Sequence, residues 1–143
     1  MTTEGGIDVV QHRDLLQRTV DTLHTAGVTE VATFVDPDHA QIDASLAIGA
    51  DAIELHTGDF AVAATGSEQL ERARQLATAA AHAHAVGLKV HAGHGLDYLN
   101  YGLFRSVVKH VSEVSIGFAV IARAVLVGLD VAVRDMLRLV KGG

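Results

Sequence analysis

The stretch VGLKVHAGHG, residues 86–95, decides the reading of the fold. A small residue and a glycine end one element. An apolar run with Leu88 and Val90 follows. The run then breaks into a tip of histidines and glycines. The same order recurs in AGVTEVATFVD, residues 26–36, and in IGADAIELHTG, residues 48–58. Gly27, Gly49 and Gly87 each close a segment of helical spacing, and each is followed by a strand-like run. Strands that alternate with helices predict βαβ units and a parallel sheet.

Working outward, the pattern predicts helices over 12–26, 38–48 and 67–86 and strands over 30–35, 51–56 and 88–92. Asp36-Pro37-Asp38 reads as a turn that caps the second helix. Residues 57–66 read as a loop. A further helix falls within 98–111, and a short fourth strand over 113–116. The tail, 118–140, reads as helix broken near Gly128. This is an α/β chain with the rhythm of a (β/α) barrel of TIM type. Four strands make about half of the usual eight. The expectation is one domain, 1–143.

Composition limits the function classes. The chain has 143 residues, a net charge of −6 and no cysteine. Net acidity argues against nucleic-acid binding through bulk positive charge. Disulfides and thiolate metal sites are excluded, which suits a cytoplasmic location. MTTEGG is not read as a signal peptide, and the longest apolar stretch, Val114–Leu129, is interrupted by Arg123, so no membrane partner is expected.

Polar residues gather at the predicted C-terminal ends of the strands, where parallel α/β folds place their sites. These are Asp36, then Glu54 and His56, then His91 and His94, then Gly117. His94 stands between Gly93 and Gly95. It is either a turn histidine bonded to its own loop or a proton-transfer group beside a closely approaching ligand. Glu54 and His56 share a strand face by the period of two. They form either an acid/base pair or an ion pair at the mouth of the sheet. Gly117 opens a helix, and bare N–H groups there suit a phosphate. His82 and His84 read as surface residues pointing apart. His12, His24, His39 and His110 have no partner at metal-ligand spacing.

TTEGGIDV (2–9), FVDPD (34–38), IELHTG (53–58), GLKVHAGHGL (87–96) and SIGFAVIARAV (115–125) together resemble the pyridoxine 5′-phosphate synthase family, in its order and spacing of motifs. The resemblance spans nearly the whole chain but the C-terminal part of the family. It implies a (β/α)₈ barrel without a cofactor. The implied reaction condenses 1-deoxy-D-xylulose 5-phosphate with 3-amino-2-oxopropyl phosphate, releasing phosphate and water. By resemblance, His94 matches a catalytic proton donor and Glu54 an active-site glutamate. Gly95 matches a phosphate-binding glycine, and Gly117 with Phe118 the pair holding a phosphate. Thr2 matches a threonine that contacts the deoxyxylulose phosphate. Three positions depart from the family: Phe118 replaces histidine, His91 asparagine and Ala122 glycine. The family's other catalytic histidine, its first-half glutamate and its substrate-binding arginines have no counterpart here. The implied partners are phosphorylated small molecules, and either a second copy of the chain or a complementary N-terminal half. The competing expectation is a half-barrel scaffold that self-associates without catalysis.

Overall fold

The computed structural model describes residues 5–142. The element order is α1 (Arg13–Thr25), β1 (Ala32–Val35), α2 (His39–Ala47), β2 (Ala52–Leu55), α3 (Gly58–Val62), α4 (Gly66–Ala85), β3 (Lys89–Ala92), α5 (Tyr101–Val107), β4 (Val111–Val114), α6 (Phe118–Val127) and α7 (Leu129–Lys141). The four strands form one parallel sheet in the order β1-β2-β3-β4. This is the arrangement of a partial TIM barrel.

Local chemistry explains the boundaries. Asp38 caps α2 by accepting hydrogen bonds from the N–H groups of Ala40 and Gln41. Thr65 caps α4 through the N–H of Glu68. Gly27, Gly49 and Gly87 have φ of +92°, +82° and +95°, the left-handed turn that ends α1, α2 and α4.

The sheet has two unlike faces because side chains alternate. Val35, Ile53, Leu55, Val90 and Ala92 are buried on one face, under α2 and α4. Phe60 of α3 meets Phe104 of α5 at 6.0 Å between ring centres and extends this core. Each fully buried Val, Ile, Leu or Phe side chain here contributes roughly 1.5–3 kcal/mol. The opposite face carries a cross-strand row, Phe34, Glu54, His91 and Glu113, in register. The row of mostly polar, incompletely buried residues marks the face that a closed barrel turns inward.

Two details differ from the sequence pattern. Residues 58–62, read as loop, form α3; it has no side-chain cap and rests on burial of Phe60. The fourth strand lies at Val111–Val114 rather than 113–116. Its register slips beside Val90 and His91, where the Ser112 hydroxyl donates to the Val90 carbonyl at 3.0 Å. This irregularity hides the strand's periodicity, and apolar Ile116 falls in the turn beyond it. α7 packs against α6 and α5, and none of the α6 side chains is buried.

Candidate active site

Each strand delivers one element of the site. The N-terminal segment runs beside β1, with the Ile7 N–H donating to the Phe34 carbonyl at 2.8 Å. Gly6 lets this backbone approach, since a Cβ there would stand 2.3 Å from the Asp36 nitrogen. Thr2 lies outside the described residues.

Glu54 and His94 come together. His94 Nδ1 lies 3.2 Å from Glu54 Oε1. The ion-pair distance is met, but the angle is not that of a hydrogen bond. Glu54 Oε1 is shut off from solvent and has no hydrogen-bond partner among the described residues. An unsatisfied buried carboxylate oxygen costs folding free energy, which marks the position as one kept for a purpose other than stability. Gly93 makes room for it: a Cβ at residue 93 would stand 2.9 Å from Glu54 Oε1 and 2.5 Å from the Ser115 carbonyl oxygen.

The expected Glu54–His56 pair does not form. His56 lies just past the end of β2 and turns its Nδ1 to Asp36 Oδ1 at 3.0 Å. Phe34 stands between the two histidines, 5.3 Å from the His56 ring and 4.9 Å from the His94 ring. His91 sits lower on the inner face with Nε2 3.3 Å from Glu30 Oε1.

The loop after β3 is a tight turn. The Leu96 N–H donates to the Gly93 carbonyl at 3.0 Å, with His94 and Gly95 at the centre. Gly95 has φ +83°, and a Cβ there would lie 2.6 Å from the Ala61 methyl. Both the sharp turn and the close approach therefore require glycine. Buried Thr57 donates its hydroxyl to the His94 carbonyl, and Asn100 Nδ2 donates to the Gly95 carbonyl at 2.8 Å. Neither Thr57 nor Asn100 was marked by the sequence pattern. A threonine directly after a strand and an Asp97-x-x-Asn100 spacing were the available signals.

Gly117 begins α6 without a side-chain cap, so the first N–H groups of the helix are open to an anion. A cleft of about 480 Å³ runs between this helix start and the turn, lined by Gly93, His94, Gly95, Ser115, Gly117 and Phe118 among others. The cleft thus brings together four of the six residues marked in the sequence, and Glu54 reaches it through His94. The Phe118 side chain is 90% exposed, so this residue offers the cleft its backbone.

The two walls are tied. The Arg123 guanidinium of α6 lies 5.0 Å above the Tyr98 ring, and Arg123 Nε donates to Asp135 Oδ2 at 3.0 Å. That bond holds the Asp135 carboxyl below the usual carboxylate range. The Tyr98 hydroxyl donates to the Ala132 carbonyl at 2.7 Å.

Among the described residues no group of three or more His, Asp or Glu side chains is placed to hold a metal, and no helix is long and apolar enough to cross a membrane. His82 turns to Asp43 at 2.6 Å and stacks on His39, while His84 stacks on His110.

Residues 1–142 match the family model described as pyridoxal phosphate biosynthesis protein PdxJ. The chain is 60% identical over 136 residues to a protein of Salinibacter ruber named pyridoxine 5′-phosphate synthase, covering 95% of this chain and 56% of that one. Proteins of the same name from Magnetococcus marinus and Pelodictyon phaeoclathratiforme are 48% and 47% identical, each over 99% of this chain and 57% and 59% of their own length. The chain spans a little over half the length of these curated relatives. Because the match runs through every motif that builds the cleft, the chain belongs to the pyridoxal phosphate biosynthesis protein PdxJ family.

Proposed function

We propose that the chain is the C-terminal half of a pyridoxine 5′-phosphate synthase, with residues 1–143 as one domain. It would take part in condensing 1-deoxy-D-xylulose 5-phosphate with 3-amino-2-oxopropyl phosphate, without a cofactor. The observation that carries this reading is the cleft in which His94, set against Glu54, faces two glycine turns.

The chemistry needs imine formation, enolisation, dehydration and ring closure, each with proton transfers. His94 is the proton donor. With Nδ1 turned to Glu54, its Nε2 is left for the substrate. The Glu54 carboxylate faces the Nδ1 side of the ring. The Gly95 N–H and the N–H groups at Gly117–Phe118 hold a substrate phosphate, and Thr2 contacts the deoxyxylulose phosphate. A positioned acid or base supplies about 10²–10⁴-fold in rate. The groups of the other barrel half are needed for the rest, so full activity requires that half.

The test is an assay of pyridoxine 5′-phosphate formation by the chain, alone and mixed with an N-terminal half from a longer relative. Activity that appears on mixing supports the proposal. A folded, assembled mixture with no product favours the second reading, a self-associating scaffold. The exposed apolar side chains of α6, Phe118, Ile121, Val125 and Leu126, are the observation on that side.

A further inference from the structure

We propose that Thr57 and Asn100 are positioning residues that set the orientation of the His94–Gly95 and Gly95–Leu96 peptides, one each, and so aim the Gly95 N–H at an anion. The inference rests on the phosphate site proposed above and names what builds it.

The central peptide of the turn has two possible orientations. The Gly93–Leu96 hydrogen bond closes a four-residue turn whose inner residues are His94 and Gly95. His94 has negative φ and Gly95 has φ +83°, which is the type II form. Types I and II share the same closing bond and differ by a flip of the central peptide. A trans peptide places its carbonyl and its N–H on opposite sides. Whichever side takes the His94 oxygen therefore dictates where the Gly95 hydrogen points.

Here the oxygen goes inward. Thr57 is fully buried, and its hydroxyl donates to the His94 carbonyl. The Gly95 N–H accordingly points away from the core, and it donates to no acceptor among the described residues. Asn100 fixes the next peptide by donating to the Gly95 carbonyl at 2.8 Å. Asn100 is itself held, its Oδ1 accepting from the Asp97 N–H at 2.8 Å and its own N–H donating to Asp97 Oδ1 at 2.8 Å. Two buried side chains thus consume the two carbonyls of the turn. That leaves an N–H facing the cleft and removes the carbonyl lone pairs that would repel a phosphate.

Neither side chain is exposed enough to touch a ligand, so both act through the backbone. A hydroxyl is required at residue 57. Valine has nearly the same shape and no donor.

The test is a titration with inorganic phosphate, followed by amide NMR at Gly95 and at Phe118, in the full chain and in Thr57→Val, Thr57→Ser and Asn100→Ala. In the unaltered chain both amides shift together. In Thr57→Val phosphate binding weakens about ten-fold or more, the loss of one charge-assisted hydrogen bond, and the Gly95 shift collapses while the Phe118 shift persists at higher phosphate. Thr57→Ser restores both. Should Thr57→Val fail to fold, Asn100→Ala gives the same comparison from the other end of the turn. A folded Thr57→Val and Asn100→Ala that bind phosphate as the unaltered chain does, with the Gly95 shift intact, overturn this inference alone. No shift at either amide in the unaltered chain overturns the phosphate site, and this inference with it.

Discussion

The Glu54 carboxylate and the His94 ring meet at 3.2 Å from different strands, Glu54 within β2 and His94 just beyond β3. The contact is made where Gly93 leaves no side chain between them. Glu54 Oε1 accepts no hydrogen bond among the described residues, so the pair is poised rather than satisfied.

Glu54→Gln tests this directly. The substitution removes a half-buried carboxylate whose Oε1 accepts no hydrogen bond among the described residues. Activity in the complemented assay is expected to fall about 10²–10⁴-fold, while the melting temperature holds or rises. A melting temperature that falls sharply would mean that the carboxylate is structural.

His94→Ala is expected to abolish the activity with little loss of stability, because the side chain is 63% exposed. A stability loss as large as that of a core truncation would instead make His94 a turn residue.

Gly95→Ala combines a positive φ with an overlap against the Ala61 methyl. The backbone part alone costs about 1–2 kcal/mol. Adding Ala61→Gly relieves the overlap, so the double variant should melt higher than Gly95→Ala by more than the separate effect of Ala61→Gly allows. Strict additivity in denaturant titrations would show that the two residues do not touch.

Acid should unfold the chain through carboxylates that the fold keeps ionised. Asp51 Oδ2 accepts from the Val31 N–H at 2.8 Å and meets His24 Nε2 at 2.8 Å. The Val31 bond first, and His24 second, hold the Asp51 carboxyl below its ordinary value. Asp135 is shifted the same way, chiefly by Arg123. A lowered folded value means stability present above about pH 4, the unfolded carboxyl range, and lost as the pH falls through the folded value. Melting temperature should drop from about pH 5 downward, and Asp51→Asn should flatten the slope. Parallel curves for the two proteins would rule out Asp51.

Self-association is expected, most simply as a two-fold pair whose inner sheet faces meet. Among the described residues no element covers the row Phe34, Glu54, His91 and Glu113, β4 has no strand beyond it, and β1 is met at its edge only by the N-terminal segment at Ile7. Sedimentation equilibrium should show mass rising with concentration. A folded chain that stays monomeric at micromolar concentration would defeat this expectation.

The strands and helix ends were legible because glycine chemistry and apolar runs are local. Gly27, Gly49 and Gly87 announce the three strands that follow them, and the structure sets each within two residues of its expected start. What failed was non-local. The partner of Glu54 is chosen by strand pairing, so periodicity pointed to His56 and the fold chose His94. α3 exists because Phe60 is buried, not because its sequence favours helix. Thr57 and Asn100 became visible once the carbonyls they hold could be named.

Tyr98, Arg123 and Asp135 give the cleft a property of its own. Tyr98 belongs to the loop that follows the His94 turn, Arg123 to the helix opposite, and Asp135 to the helix that braces them. Tied in this way, the cleft of the proposed site would act as a fixed gauge rather than a jaw. Its opening is set before any ligand arrives, so little ordering entropy remains to be lost on binding. A gauge also rejects by size. In the phosphate site proposed above, an anion that matches the gap between the two turns would meet both sets of N–H groups at once, and a bulkier one would meet a single set. Cutting the brace at Asp135 would blur that discrimination before it weakened binding itself.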